Sequence, residues 1–111
     1  MIHYNRCDIV LVPFPFTDLV TVKKRPALII SPKEYNIHGD YVIAFITSNI
    51  HSELKFCDYL IQNWKKTGLP KPSLIRMKFV TIDSSIIIKQ IGRLIEPDIT
   101  VFRHELAKFF S

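Results

Sequence analysis

The sequence predicts a mainly β chain, a barrel or sandwich, with a helix at its C-terminal end. Three observations point there. Short runs rich in Val, Ile and Phe recur along the chain and are broken by Pro, Gly, Asn and Asp. Ile9 to Val12, Leu28 to Ile30 and Val42 to Ile46 are apolar at both parities, so each needs cover on both faces, from the core and from a second layer or a partner subunit. The final stretch switches to apolar residues at three-and-four spacing, the period of a helix. A chain of 111 residues with 48% hydrophobic content suits one compact domain over residues 1–111 with its own small core.

The expected strands are Asp8–Val12, Ala27–Ser31, Tyr41–Thr47, Tyr59–Gln62, Ser73–Ile82 and Ile86–Leu94. Between the first two, residues 13–22 read PFPFTDLVTV, where Pro13 and Pro15 oppose regular ladder pairing and suggest a long loop. Phe14 and Phe16 in that loop either pack over a barrel end or stack on a substrate. Pro26 is expected to set the start of the second strand, with Lys23 and Lys24 on a mobile loop before it. In Ser73–Ile82, Ile75, Met77 and Phe79 share the inward parity while Arg76 and Lys78 share the outward one. Asn63 to Thr67 reads as one helical turn, stopped by Gly68 at a left-handed cap and by Pro70 beyond it. Pro97 opens the last helix, Asp98 complements its positive N-terminal dipole, and Ile99, Phe102, Leu106 and Phe109 form its core face.

The formal net charge is +5 and the pI is about 9.4, a balance that favours polyanionic partners. Clustering says more than the total. Residues 65–93 carry seven cations against one acid, Asp83, and residues 21–33 carry four against none. If those segments meet in the fold they concentrate a positive field that suits phosphate backbones. The apolar runs are too short to cross a bilayer and no secretory leader is evident, so the expectation is a soluble, cytoplasmic chain without a membrane partner. Cys7 and Cys57 then read as reduced packing residues, and the scattered His3, His38, His51 and His104 give no metal-ligand spacing. A Gly-rich phosphate loop, a His-Glu-x-x-His helix and a nucleophile elbow are all missing from the sequence. No metal or other cofactor is therefore expected.

What remains is a phosphate-handling set: Arg25 beside Pro26, and Thr47-Ser48-Asn49 directly after a central strand. A guanidinium offers forked donors to phosphate oxygens, and hydroxyls add short neutral hydrogen bonds. RNA cleavage needs no metal when the neighbouring 2′-OH attacks phosphorus, provided the protein aligns the attack and stabilises the phosphorane oxygens.

The run Asp8 to Asp18, then Lys24-Arg25-Pro26-Ala27-Leu28-Ile29-Ile30-Ser31, then Ile46-Thr47-Ser48, resembles in order and spacing the PemK/MazF toxins of type II toxin–antitoxin modules. Gly68 to Ser73, Thr81-Ile82-Asp83 and Gln90 to Leu94 extend the resemblance over nearly the whole chain. It implies an SH3-like β-barrel with a C-terminal helix, usually a homodimer, acting as a metal-independent endoribonuclease on single-stranded RNA and blocked by a cognate antitoxin. By the same resemblance Arg25 stabilises the phosphorane and Thr47 positions the phosphate. Thr17, Lys23, Lys24, Ser48, Asn49, Arg76 and Lys78 are the candidate RNA-binding residues. Two departures stand out. Cys7 occupies a position where many members have Gly, which suggests a strand start without left-handed backbone, and Lys78 stands where some relatives carry an acid. A non-cleaving CcdB-like toxin that binds DNA gyrase and a non-catalytic RNA-binding SH3-like module are the alternatives.

Overall fold

The structure is a computed structural model that describes residues 3–14, 23–51 and 53–111. Its strands are β1 Asp8–Phe14, β2 Lys23–Ile29, β3 Asp40–Thr47, β4 Tyr59–Leu60, β5 Leu74–Asp83 and β6 Lys89–Arg93. A short helix α1 covers Lys33–Asn36, a longer one α2 covers Asp98–Phe109, and 3-10 turns occupy Trp64–Lys66 and Ser84–Ile86. The strands form one antiparallel sheet in the order β4-β5-β3-β2-β1-β6. This curled sheet with its C-terminal helix has the fold class the sequence predicts.

The central strands are buried on both faces, as their double parity requires. Antiparallel partners share a face. One face carries Ile9, Leu28, Ala44 and Ile46, packed with Ile75 and Leu94 and with Phe102 of α2. The other carries Val10, Val12, Ala27, Ile29 and Ile43, packed with Tyr4, Tyr41 and Ile87. The chain itself supplies both covers. Along β5 the expected alternation holds: Ile75, Met77 and Phe79 pack on the α2 side. It holds despite a bulge, in which Ile46 pairs Ile75 but Ala44 pairs Phe79, so β5 carries two extra residues and keeps its parity.

Several expected boundaries move. β1 continues through Pro13 and Phe14, which pair with Lys24 and Lys23, so the ladder that the prolines were expected to end persists. β6 pairs with β1 only as far as Leu11, so Pro13 sits where β1 has a neighbour on one side only, a position that tolerates a missing N–H. β2 begins at Lys23 rather than Ala27, and the basic triplet is strand, not mobile loop. Pro26 lies inside β2, opposite Leu11, just before the β2–β3 ladder starts at Ala27. Since Ile30 donates to the Val42 carbonyl of β3, the backbone nitrogen of Pro26, four residues earlier, also points to the β3 side, where no ladder needs a donor. The expected Ile86–Leu94 strand starts only at Lys89, because Asp83 accepts from the Ser85 N–H (2.8 Å) and closes the turn Ser84–Ile86.

Cys7 overturns one expectation outright. Its φ is +76°, the left-handed conformation that a side chain was expected to exclude. The Cys7 N–H donates to the Ile29 carbonyl (2.8 Å) and its carbonyl accepts from Leu94 (2.9 Å), so β2 and the end of β6 together hold the conformation. Both cysteines are free thiols. Gly68 has φ +90° and ends the Trp64–Lys66 turn as expected.

Asp98 stands in the first turn of α2 as expected and carries a second role besides. Its side chain is fully buried and accepts hydrogen bonds from the Tyr59 hydroxyl, from the backbone N–H of Gln62 (3.0 Å) and from that of Asn63 (2.9 Å). This turn toward Asp98 cuts the expected Tyr59–Gln62 strand to Tyr59–Leu60. Burial acts to raise the Asp98 pKa, but the bonds from Tyr59, Gln62 and Asn63 outweigh it and hold the carboxyl below its ordinary value. Burial and the adjacent Asp98 push the Tyr59 hydroxyl far up, so it stays a donor. Asp98→Ala strands the buried Tyr59 hydroxyl and two part-buried N–H groups and is expected to cost about 3 kcal/mol in urea unfolding. A folded pKa below the unfolded one means the contribution is present above about pH 4 and fades as pH falls further, and the variant should lose that slope.

Candidate RNA-binding and cleavage site

The end of the β1–β2–β3 sheet is where its apolar packing stops. On the face of Val12 and Ala27, the register continues outward to Phe14, Arg25, Phe45 and Thr47. These residues line one cavity of about 270 Å³ together with Asn49 and the bulged Arg76 and Lys78 of β5. The two cation-rich segments of the sequence therefore meet in space. Phe14 packs on Phe45 at 4.6 Å between ring centroids, and Lys78 Nζ lies 5.9 Å from the Phe14 ring centre. Phe14 thus forms a wall of the cavity, and Phe16 lies outside the described residues.

Arg25 is exposed at its strand position, and Thr47 is half-buried at the last position of β3. Thr47 Oγ1 accepts from the Asn49 N–H (3.1 Å). A hydroxyl that accepts in this way keeps its own proton to donate. Arg76 keeps the expected outward parity, but an acid anchors it. Its Nη1 lies 2.9 Å from Asp58 Oδ2, and that carboxylate is nearly buried, with 2% side-chain exposure. Asp58 in turn caps the Lys55 N–H (2.8 Å). The anchor fixes Arg76 at the cavity edge and offsets part of the repulsion among Arg25, Arg76 and Lys78. The cavity lining holds no carboxylate among the described residues.

Of the other candidates, Lys24 and Ser48 line a second cavity of about 460 Å³ on the opposite face, which shares Arg25 and Ile46 with the first. Lys23 is exposed and lines neither. Thr17 lies outside the described residues. The second cavity also takes Lys71 and Lys89, which sequence reading counted as cations without giving them a place. Their separation in the chain hid it, since only the β1–β6 register brings Lys89 beside Leu11. Among the described residues no cluster of His, Cys, Asp and Glu could hold a metal ion. Among them, too, no helix is long and apolar enough to cross a membrane.

A family profile described as PemK-like, MazF-like toxin of type II toxin-antitoxin system matches residues 5–110. The chain belongs to this family. Among solved structures, this toxin resembles a mycobacterial endoribonuclease in complex with its cognate antitoxin, at TM-score 0.75 and 16% identity over 99% of this chain and 95% of that one. It also resembles Mycobacterium tuberculosis toxin MazF-mt6, at TM-score 0.73 and 20% identity over 93% and 95% of the two chains. MazF from Deinococcus radiodurans aligns at TM-score 0.74 and 17% identity over 99% and 98%. By sequence, no curated protein matches significantly. Identities this low speak for the fold alone.

The segment from Gly68, one wall of the toxin's second cavity, packs against β6 through two glycines. A Cβ on Gly68 would lie 2.0 Å from the Ile91 carbonyl oxygen, and one on Gly92 would lie 1.5 Å from that of Thr67. Both clashes are with backbone, and the Arg93 N–H to Thr67 carbonyl bond (3.1 Å) ties the crossing. Gly92→Ala must push the two segments apart and is expected to destabilise the toxin by at least about 3 kcal/mol, measurable as a lower urea midpoint.

Proposed function

We propose that this toxin is an endoribonuclease that cleaves single-stranded RNA in the cytoplasm, without a resident metal, and is restrained by an acidic segment of a cognate antitoxin. The observation that carries the reading is the convergence of Arg25, Thr47, Arg76 and Lys78 on one cavity free of carboxylates among the described residues. The solved relative described as an endoribonuclease in complex with its cognate antitoxin supports both the activity and the partner. A homodimer is part of the same reading, drawn from the family resemblance.

In the proposed reaction the ribose 2′-oxygen forms a bond to phosphorus and the P–O5′ bond breaks. The 2′-OH gives up its proton and the departing 5′-oxygen gains one, leaving a 2′,3′-cyclic phosphate and a 5′-OH. Charge gathers on the non-bridging oxygens as phosphorus becomes five-coordinate, and that is where fixed donors act with the greatest effect. The Arg25 guanidinium presents forked N–H groups to those oxygens, and the Thr47 hydroxyl, held by the Asn49 N–H, donates a further bond that orients the phosphate. Lys78 and the anchored Arg76 attract the backbone. Phe14 and Phe45 offer an aromatic surface to an unstacked base.

Purified toxin incubated with single-stranded RNA in chelator should release 2′,3′-cyclic phosphate ends, and intact RNA with well-folded protein would sink the ribonuclease reading in favour of a non-cleaving toxin. Arg25→Ala should lower kcat by about 10²–10³-fold with unchanged thermal unfolding, the loss typical of one transition-state donor. Thr47→Val should fall in the same range, whereas Thr47→Ser, which keeps the hydroxyl, should stay within about tenfold of the parent. Variants that cleave at the parent rate would remove these two roles.

A further inference from the structure

Apart from Arg25, which lines both cavities, the second cavity has no role in the reaction just described. Its floor is apolar, made by Leu11, Pro26, Ile46, Leu69 and Ile91, and Lys24, Lys71 and Lys89 stand around it with Arg25. None of its lining is acidic among the described residues, and its volume of about 460 Å³ falls in the range of small-molecule sites, roughly 300–1,000 Å³. The opposite wall is the segment Gly68–Ser73, pressed against β6 by the glycine crossing. Ser73 is buried, and its hydroxyl donates to the Lys71 carbonyl (2.9 Å), which fixes the backbone that carries Lys71. Lys89 is aligned with Leu11 by the β1–β6 ladder and Leu11 with Pro26 by the β1–β2 ladder, so the three share one face across adjacent strands.

We propose that this Lys24–Lys71–Lys89 cavity is a second nucleotide subsite, which holds one nucleotide of the RNA while the Thr47 cavity holds its neighbour. The inference rests on the ribonuclease reading for the identity of its substrate. Arg25 and Ile46 belong to both cavities, so a strand passing over the sheet end meets Arg25 between them. The apolar floor accepts a base by its flat face, and lysines at the rim meet the flanking phosphates. Ser48, exposed at the boundary, is placed to offer its hydroxyl to a base edge. Lys71 and Lys89 thereby become substrate-positioning residues.

The test separates binding from cleavage by using a single-stranded RNA heptamer with 2′-O-methyl riboses, which cannot be attacked from the 2′-position. Its affinity for the full chain is followed by fluorescence anisotropy against salt. Lys71→Ala/Lys89→Ala should weaken binding about tenfold at low salt and reduce the slope of log affinity against log salt by about 1.4, the loss of two single-strand phosphate contacts. Lys33→Ala/Arg103→Ala removes two cations that line neither cavity and should leave the slope unchanged. If the Lys71/Lys89 variant matches that control, the subsite is overturned even when the parent cleaves ordinary RNA. If the parent binds, and the variant binds less, while ordinary RNA stays intact, the subsite stands and the ribonuclease reading falls. A parent that cleaves ordinary RNA but binds no heptamer overturns the subsite and leaves the ribonuclease reading standing. A variant that loses only affinity for poly-glutamate, with heptamer binding unchanged, overturns the RNA subsite and assigns the cavity to an acidic peptide.

Discussion

Apolar packing on both faces of β1, β2 and β3 is the constraint on which the rest of this structure depends. Ile9, Leu28 and Ala44 commit one face to the α2 side, and Val10, Ala27 and Ile43 commit the other to the Tyr4 and Tyr41 side. A strand packed on both faces has no flank left for polar chemistry. Charged and hydroxylic side chains can then stand only where the strands run out, because burying them unpaired among these residues would cost several kcal/mol each. Arg25 and Thr47 sit at such ends, on neighbouring strands and on one face. Two-sided burial also explains why two cavities flank one arginine. Each core cluster stops at the same edge of the sheet, and each leaves a recess beyond its last apolar layer.

Holding those ends in place takes contacts from parts of the chain that carry no chemistry. Asp98 ties the start of α2 to the segment after β4 through the backbone N–H groups of Gln62 and Asn63. That segment leads through the Trp64–Lys66 turn to Gly68, and Gly68 crosses Gly92 at a distance only two glycines allow. At the other end of the sheet, Asp8 accepts from the Asn5 N–H (2.7 Å) and pairs with Arg93 (2.9 Å), which joins the N-terminal turn to β6. The ion pair is half exposed on its arginine side, so its value lies more in register than in net stability. In the proposed reaction rigid walls matter, because a donor displaced by about 1 Å loses much of its effect on a transition state.

Period and parity made the sheet legible. All six expected strand positions carry strands, and the outward parity of Arg76 and Lys78 in β5 survives a two-residue bulge. Arg25 and Thr47 were legible as phosphate-handling residues, their catalytic roles came through resemblance, and the register places both on one face. Boundaries failed wherever a tertiary partner overrode a local preference. Pro13 reads as a ladder breaker, yet β6 stops short of it and the missing donor is not needed. Cys7 reads as an ordinary strand start, yet carbonyl and amide partners on two neighbouring segments hold it at positive φ. Asp98 reads as a dipole residue because the sequence shows its helix and not the amides waiting 36 and 35 residues away. Asp58 was illegible as a partner for the same reason, being 18 residues from Arg76 in the chain.

The Asp58–Arg76 contact also bears on how the site tolerates its own charge. Arg25, Arg76 and Lys78 converge on one cavity, and like charges that share a recess repel one another. A carboxylate inside the cavity would relieve that repulsion and would also repel phosphate. Asp58 relieves it from behind: it is nearly buried, it lies outside the lining of the Thr47 cavity, and it holds Arg76 at 2.9 Å. Lys78 finds a second form of relief in the face of Phe14, whose ring attracts a cation without presenting an anion to the substrate. Among the described residues, Arg25, the exposed cation shared by both cavities, thus keeps a field undiminished by any acid in the lining of either. Under the proposed ribonuclease reading, such an arrangement suits a phosphate held at Arg25, between the cavities, rather than one bound deep in either.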